Sequence, residues 1–142
     1  MPKIKTAVFG NTSQRRLDTC HEEFKEVMTL VIAALPYTDP DTGVEIIDCG
    51  IICGERSEQE QEEAYRLGNS KARFGESLHN TYPSNACDTL PMRDGRYIWD
   101  DKELHAAYAK LVLDTAWHQG YRWKWGGDFE SFYDGPHFER AL

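Results

Sequence analysis

Two of the five histidines stand in company that suggests chemistry. His79 closes Ser77-Leu78-His79 and is followed, nine positions on, by Asp88 in Ala86-Cys87-Asp88; His137 lies in Asp134-Gly135-Pro136-His137-Phe138-Glu139. Two imidazoles and one carboxylate from separate segments make a three-ligand set, and a tetrahedral zinc held that way keeps one position open for water. Zinc lowers the pKa of such a water toward about 7, and a neighbouring carboxylate must then take its proton and later deliver it to a leaving amine. Asp134, three residues before His137, is the best-placed candidate for that shuttle. Taken singly, each of these residues reads more simply as a surface or hydrogen-bonded side chain, and the spacing from His79 to Asp88 is loose. The combination is what points to a metal.

Other candidates have weaker claims. Asp94, Asp100 and Asp101 lack the one-three-five oxygen spacing of an EF-hand, which argues against a calcium loop. His21 and His118 fall within amphipathic helical stretches and read as helix-face residues, and His105 reads as exposed. Trp117, Trp123, Trp125, Phe129, Phe132 and Tyr133 form an aromatic-rich tail suited to core and strand packing, with Trp125 alone chosen as a site wall. The four cysteines are too few for a disulfide scaffold, and Cys49 and Cys53 lack the CxxC spacing of a redox or zinc knuckle, so all four read as reduced and mostly buried.

The elements that must position these groups follow from periodicity. Apolar residues at Leu17, Cys20, Phe24, Val27, Met28, Val31 and Leu35 predict one long amphipathic helix over Ser13–Leu35, with Asn11, Thr12 or Ser13 as cap and Pro36 as terminator. Tyr37–Gly43 reads as a loop and Val44–Cys53 as one buried strand. Ser57 caps a glutamate-rich helix that stops at Gly68, and Asn69–Glu76 is a polar loop. Ala86–Leu90 is a strand ended by Pro91, and Asp94-Gly95 turns a hairpin into Arg96–Trp99. Asp100 or Asp101 caps a second long helix, with Leu104, Tyr108, Leu111, Val112 and Thr115 on one face and Gly120 as its stop. Tyr121–Trp125 and Pro136–Glu139 are short strands.

A chain of 142 residues without repeats, linkers or low-complexity stretches predicts one α+β domain. The formal net charge of −8 argues against a partner bound through phosphates, hence against nucleic acid. Met28–Leu35, the most apolar run, is too short for a membrane span, and Met1–Gly10 has no apolar export signal, which predicts a cytoplasmic protein.

The blocks around His79, Asp88 and His137, with Trp125-Gly126-Gly127-Asp128-Phe129 between them, resemble the zinc peptidases of the LAS group. More narrowly they resemble the L-alanyl-D-glutamate peptidases of bacteriophage endolysins, relatives of the VanY-type carboxypeptidases. Gly54-Glu55-Arg56-Ser57, Glu60-Gln61, Ala64-Tyr65 and Gly68-Asn69-Ser70-Lys71 follow the family's GxRSxxEQxxLYxxGxSK segment, so the likeness spans nearly the whole chain. It departs in one place: the interval from His79 to Asp88 is two residues longer than in the usual SxHxxGxAxD block, which predicts a bulged turn around Tyr82-Pro83-Ser84.

The resemblance implies a single compact catalytic domain over residues 1–142 with no wall-binding domain, its small antiparallel sheet and two long helices flanking a zinc cleft. It implies Zn2+ on His79, Asp88 and His137, Asp134 as general base and acid, and Arg56 steadying the developing oxyanion, a task that suits a permanently charged planar fork. Ser77 would orient a ligand within the site, and Gln61 is either helix packing or a polar support. The implied enzyme is a monomer that cleaves the L-alanyl-D-glutamate bond of the peptidoglycan stem peptide, without membrane insertion, waiting in the host cytoplasm until lysis. A D-alanyl-D-alanine carboxypeptidase on the same scaffold and a non-catalytic zinc-containing wall-binding module are the alternatives.

Overall fold

The amphipathic register expected over Ser13–Leu35 is carried by two helices, α1 (Asn11–Leu17) and α2 (Glu22–Ala33), in a computed structural model that describes residues 7–142. Residues 1–6, most of the segment read above for an export signal, lie outside that range. The helix breaks at residues 18–21 because another segment takes its backbone: His21 N donates to Ser84 O at 2.9 Å and Ser84 N to Thr19 O at 2.8 Å. Ser84 belongs to the expected insertion, so the extra loop residues tie down this corner. His21 is no helix-face residue; it caps α2, its Nδ1 accepting from Glu23 N at 3.2 Å. Gly10, not Asn11, Thr12 or Ser13, is the α1 cap, and Ser13 Oγ instead accepts from Ile51 N at 3.0 Å.

The single strand expected over Val44–Cys53 is also two. β2 (Glu45–Ile46) pairs with β1 (Tyr37–Thr38), inside the expected loop, while β3 (Asp48–Cys53) joins a five-stranded sheet. Ile47 between them is half exposed, so the apolar run was not evidence of continuous burial. The larger sheet is antiparallel throughout, in the order β3, β4 (Ala86–Arg93), β7 (His137–Arg140), β6 (Trp123–Trp125), with β5 (Arg96–Tyr97) also on β4.

β4 runs through Pro91, where it was expected to end. Pro91 O accepts from Ile98 N at 3.0 Å, so its missing N–H faces Ile98 O, and that oxygen accepts from His105 Nε2 at 2.7 Å instead. Asp94 and Gly95 both have positive φ, 51° and 75°, as a two-residue hairpin turn requires.

Ser57 and Glu60 form a reciprocal capping box at the start of α3 (Glu58–Arg66). Asp101 caps α4 (Lys102–His118), its Oδ1 accepting from Leu104 N at 3.0 Å. Both helices stop before a glycine of positive φ, Gly68 and Gly120, as expected.

The core lies between α2, α4 and one face of the larger sheet. Phe24, Val27, Met28 and Val31 of α2 meet Leu104, Tyr108 and Val112 of α4, with Ile51 and Phe138 beneath; Leu111 and Thr115 sit at the rim. Each fully buried side chain of this size contributes about 1.5–3 kcal/mol of transfer free energy. Tyr108 carries its hydroxyl inward and shares a 2.6 Å hydrogen bond with Thr89 Oγ1, which also reaches Gly50 O. All four cysteines are free, and Cys20, Cys49 and Cys87 are buried; burial pushes the Cys49 thiol up to about 12. No described helix is long and apolar enough to cross a membrane.

Candidate active site

The strand register builds one row across the sheet. Cys53 of β3 stands opposite Asp88 of β4, and Asp88 opposite His137 of β7, so three side chains on adjacent strands share a face. An irregularity between Ile51 and Cys53 brings Cys53 into the row. His79 arrives from outside the sheet on a single 3-10 turn, Leu78–Asn80. Ser77 caps that turn, its Oγ accepting from His79 N at 3.2 Å, and Arg56 N donates to His79 O at 2.7 Å.

Nε2 of His79, Nδ1 of His137 and Oδ1 of Asp88 thereby meet at one point, separated by 3.1, 3.2 and 3.2 Å. The opposite nitrogens are committed elsewhere: His79 Nδ1 donates to Gly54 O at 2.7 Å and His137 Nε2 to Glu139 Oε1 at 2.8 Å. Each ring is held so that its inward nitrogen offers a lone pair. Zinc bonds of about 2.0–2.2 Å at tetrahedral angles set ligand atoms roughly 3.3–3.6 Å apart, close to these separations. The nitrogen and oxygen donor set fits zinc as well. Cys53 Sγ borders the same point, lying within 4.8 Å of the His79 and Asp88 ligand atoms.

Electrostatics point the same way. Burial opposes charge on both rings, yet the Asp88 carboxylate outweighs it and lifts His79 to about 10; Asp88 and Glu139 together lift His137 to about 9. Burial also opposes ionisation of Asp88, and the two imidazoles overcome it, holding that carboxyl below the ordinary range. The Asp88 carboxylate thus draws positive charge to the point where the three groups meet, supplied by protons on the rings in the metal-free protein and available from a divalent cation in their place.

Arg56 does not pair with the surface glutamates around it. One guanidinium nitrogen donates to Gln61 Oε1 at 2.8 Å and the other lies 3.5 Å from Asp88 Oδ2. Gln61 is fully buried and is a polar support: its Nε2 donates to Ser70 Oγ and Ala72 O, and its Oε1 also accepts from Asn80 Nδ2. Asp134 lines the cleft with Oδ2 3.9 Å from His137 Nδ1, and burial together with the Asp88 charge raises its pKa. Gly126 makes room for it, because a Cβ there would lie 2.2 Å from Asp134 O.

These groups open onto a cleft of about 960 Å³ whose wall includes Trp99, Phe129, Phe132 and Tyr133. Ser77 lines the cleft, but its hydroxyl is spent on the turn that carries His79. Trp125, expected as the wall, stands a layer behind it: its indole donates to Gly135 O at 2.7 Å and its ring packs edge-on against Tyr133. His105, expected exposed, is buried beneath the cleft and bonds Ile98 O and Tyr133 Oη.

Glu139, Cys53 and the organising role of Gln61 escaped the sequence reading. For Glu139 a signal existed, since it lies two residues past His137 on a strand and so faces the same way.

Residues 6–141 match the family model described as phage L-alanyl-D-glutamate peptidase. The chain is 38% identical over 117 residues to the peptidoglycan L-alanyl-D-glutamate endopeptidase CwlK of Bacillus subtilis, a match covering 75% of this chain and 66% of the relative, just under two thirds of its length. The crystal structure of Serratia marcescens L-Ala D-Glu endopeptidase ChiX superposes with a TM-score of 0.71 at 27% identity, covering 94% of this chain and 89% of that one. With the family model spanning nearly every residue, the chain belongs to the phage L-alanyl-D-glutamate peptidase family.

Proposed function

We propose that this chain is a zinc-dependent endopeptidase that hydrolyses the L-alanyl-D-glutamate bond of the murein stem peptide, acting as a monomer. In this reading it is a phage lysis enzyme held in the host cytoplasm until the membrane is breached. The observation that carries the chemistry is the meeting of two imidazole nitrogens and a carboxylate oxygen within 3.2 Å, beside Asp134 and in an open cleft.

His79, Asp88 and His137 would hold the zinc. When bound, zinc supplies Lewis acidity toward a peptide carbonyl and toward water. Asp134 takes the proton of the attacking water and returns it to the amine of the leaving D-glutamyl residue, a task for which its raised pKa suits it. Arg56, steered by Gln61, donates to the oxyanion that develops on the scissile carbonyl. Ser77 acts by fixing the His79 turn, and Trp125 by holding Gly135 and Tyr133 in the wall.

Digestion of purified murein, with mass spectrometry of the new termini, tests this. New amino-terminal D-glutamate supports it; released D-alanine would favour the carboxypeptidase alternative, and no product at all a wall-binding module.

A further inference from the structure

We propose that Lys71 recognises the free carboxylate of the D-glutamyl residue and so makes the enzyme selective for stem peptides in which that group is not amidated. The inference rests on the endopeptidase reading above. A glutamate whose nitrogen is acylated by L-alanine has two carboxyl groups; when the peptide continues through one, the other remains as an anion beside the scissile bond.

The cleft needs a cation for such a substrate, because its wall carries Glu76, Asp88, Asp134 and Glu139. The lysine and the arginine that line it are Lys71 and Arg56. Arg56 is already engaged, with Gln61 on one nitrogen and Asp88 near the other. Lys71 makes no ion pair among the described residues; its ammonium rests 4.9 Å from the centre of the Phe132 ring, on the cleft wall. The wall acids other than Asp134, the proposed proton carrier, are taken up elsewhere. Asp88 and Glu139 hold the histidines, and Glu76 accepts from Arg73 N at 2.6 Å.

The loop bearing Lys71 is also built. Ser70 Oγ and Ala72 O, on either side of it, both accept from the buried Gln61 amide, whose oxygen holds Arg56. One buried side chain therefore sets the spacing between the cation assigned to the oxyanion and the segment carrying the cation assigned to the substrate anion.

The test compares kcat/KM of the zinc-loaded full chain on two soluble stem peptides that differ only at that group, one with the carboxylate and one with the carboxamide. A charge-assisted hydrogen bond at the cleft wall corresponds to a preference of about tenfold for the acid, expressed mainly in KM and shrinking with added salt. Lys71→Met should bring the ratio to about one, and Lys71→Arg should keep it. A wild-type ratio near one, or a preference that survives Lys71→Met, overturns the assignment. Cleavage of neither peptide would instead remove the endopeptidase reading, and this inference with it.

Discussion

Glu139 accepts a 2.8 Å hydrogen bond from Nε2 of His137, and this bond turns Nδ1 of the same ring toward Nε2 of His79 and Oδ1 of Asp88. Without it the ring is free to rotate or to present the other tautomer. Glu139→Ala should therefore weaken zinc binding by about 10–100-fold, while Glu139→Gln, which keeps an acceptor, loses less. Competition against a chromogenic chelator reads the affinity directly. An unchanged affinity in Glu139→Ala would mean that the strand alone orients the ring.

Gln61 joins three segments through one buried amide: Arg56, the Ser70–Ala72 loop and Asn80. Gln61→Leu fills similar space but strands those partners. Losing buried hydrogen bonds of this kind costs about 2–4 kcal/mol, so the urea midpoint should fall at an unchanged slope. Activity should fall further than stability explains, because Arg56 loses its anchor.

Which residues share the candidate site was legible in the sequence from residue types that are costly to bury without partners and, for Arg56, from the family resemblance. His79, Asp88, His137, Asp134 and Arg56 all reach one cleft. What the sequence hid were effects of tertiary competition. The long first helix broke because Ser84, distant in sequence, captured the backbone at Thr19 and His21. The strand over residues 44–53 divided because Ile46 and Ile51 are buried on either side of an outward-facing Ile47. His105 looked exposed because nothing local announced that Ile98 O and Tyr133 Oη would enclose it. Trp125 braces the wall instead of forming it for a related reason: an aromatic beside a glycine pair can do either, and only the fold decides.

Asp134 titrates above the ordinary carboxylate value of 3.8, chiefly through burial and then through the charge of Asp88. A base must be ionised to act, so kcat/KM should have an acid limb that vanishes with Asp134→Asn, which keeps the metal but loses about 10²–10⁴ in rate. The stability effect has the opposite sign. In the metal-free protein the folded state holds the Asp134 proton more tightly than the unfolded chain does, so ionisation destabilises the fold as pH rises through the raised pKa. Metal-free Asp134→Asn should be more stable than the wild type at neutral pH, and the difference should disappear once the pH falls below the ordinary carboxylate range. Urea melts of the two metal-free proteins across that range check both signs.

Zinc must compete with protons for the same nitrogens. In the metal-free protein His79 is lifted from 6.5 to about 10 and His137 from 6.5 to about 9, burial opposing and Asp88 prevailing in each case. Raised histidine values contribute stability that is complete below 6.5 and is lost as pH climbs through about 9 and 10, so the metal-free fold should weaken across that window. The zinc-loaded protein should behave oppositely, since proton release makes metal affinity, and with it the linked stability, rise with pH over the same range. Calorimetric titration of zinc at neutral pH, repeated in buffers of different ionisation enthalpy, should detect proton release, and chelation should lower the thermal midpoint. Zinc binding with no proton release at neutral pH would show that the imidazoles are already neutral and that Asp88 does not hold their charge.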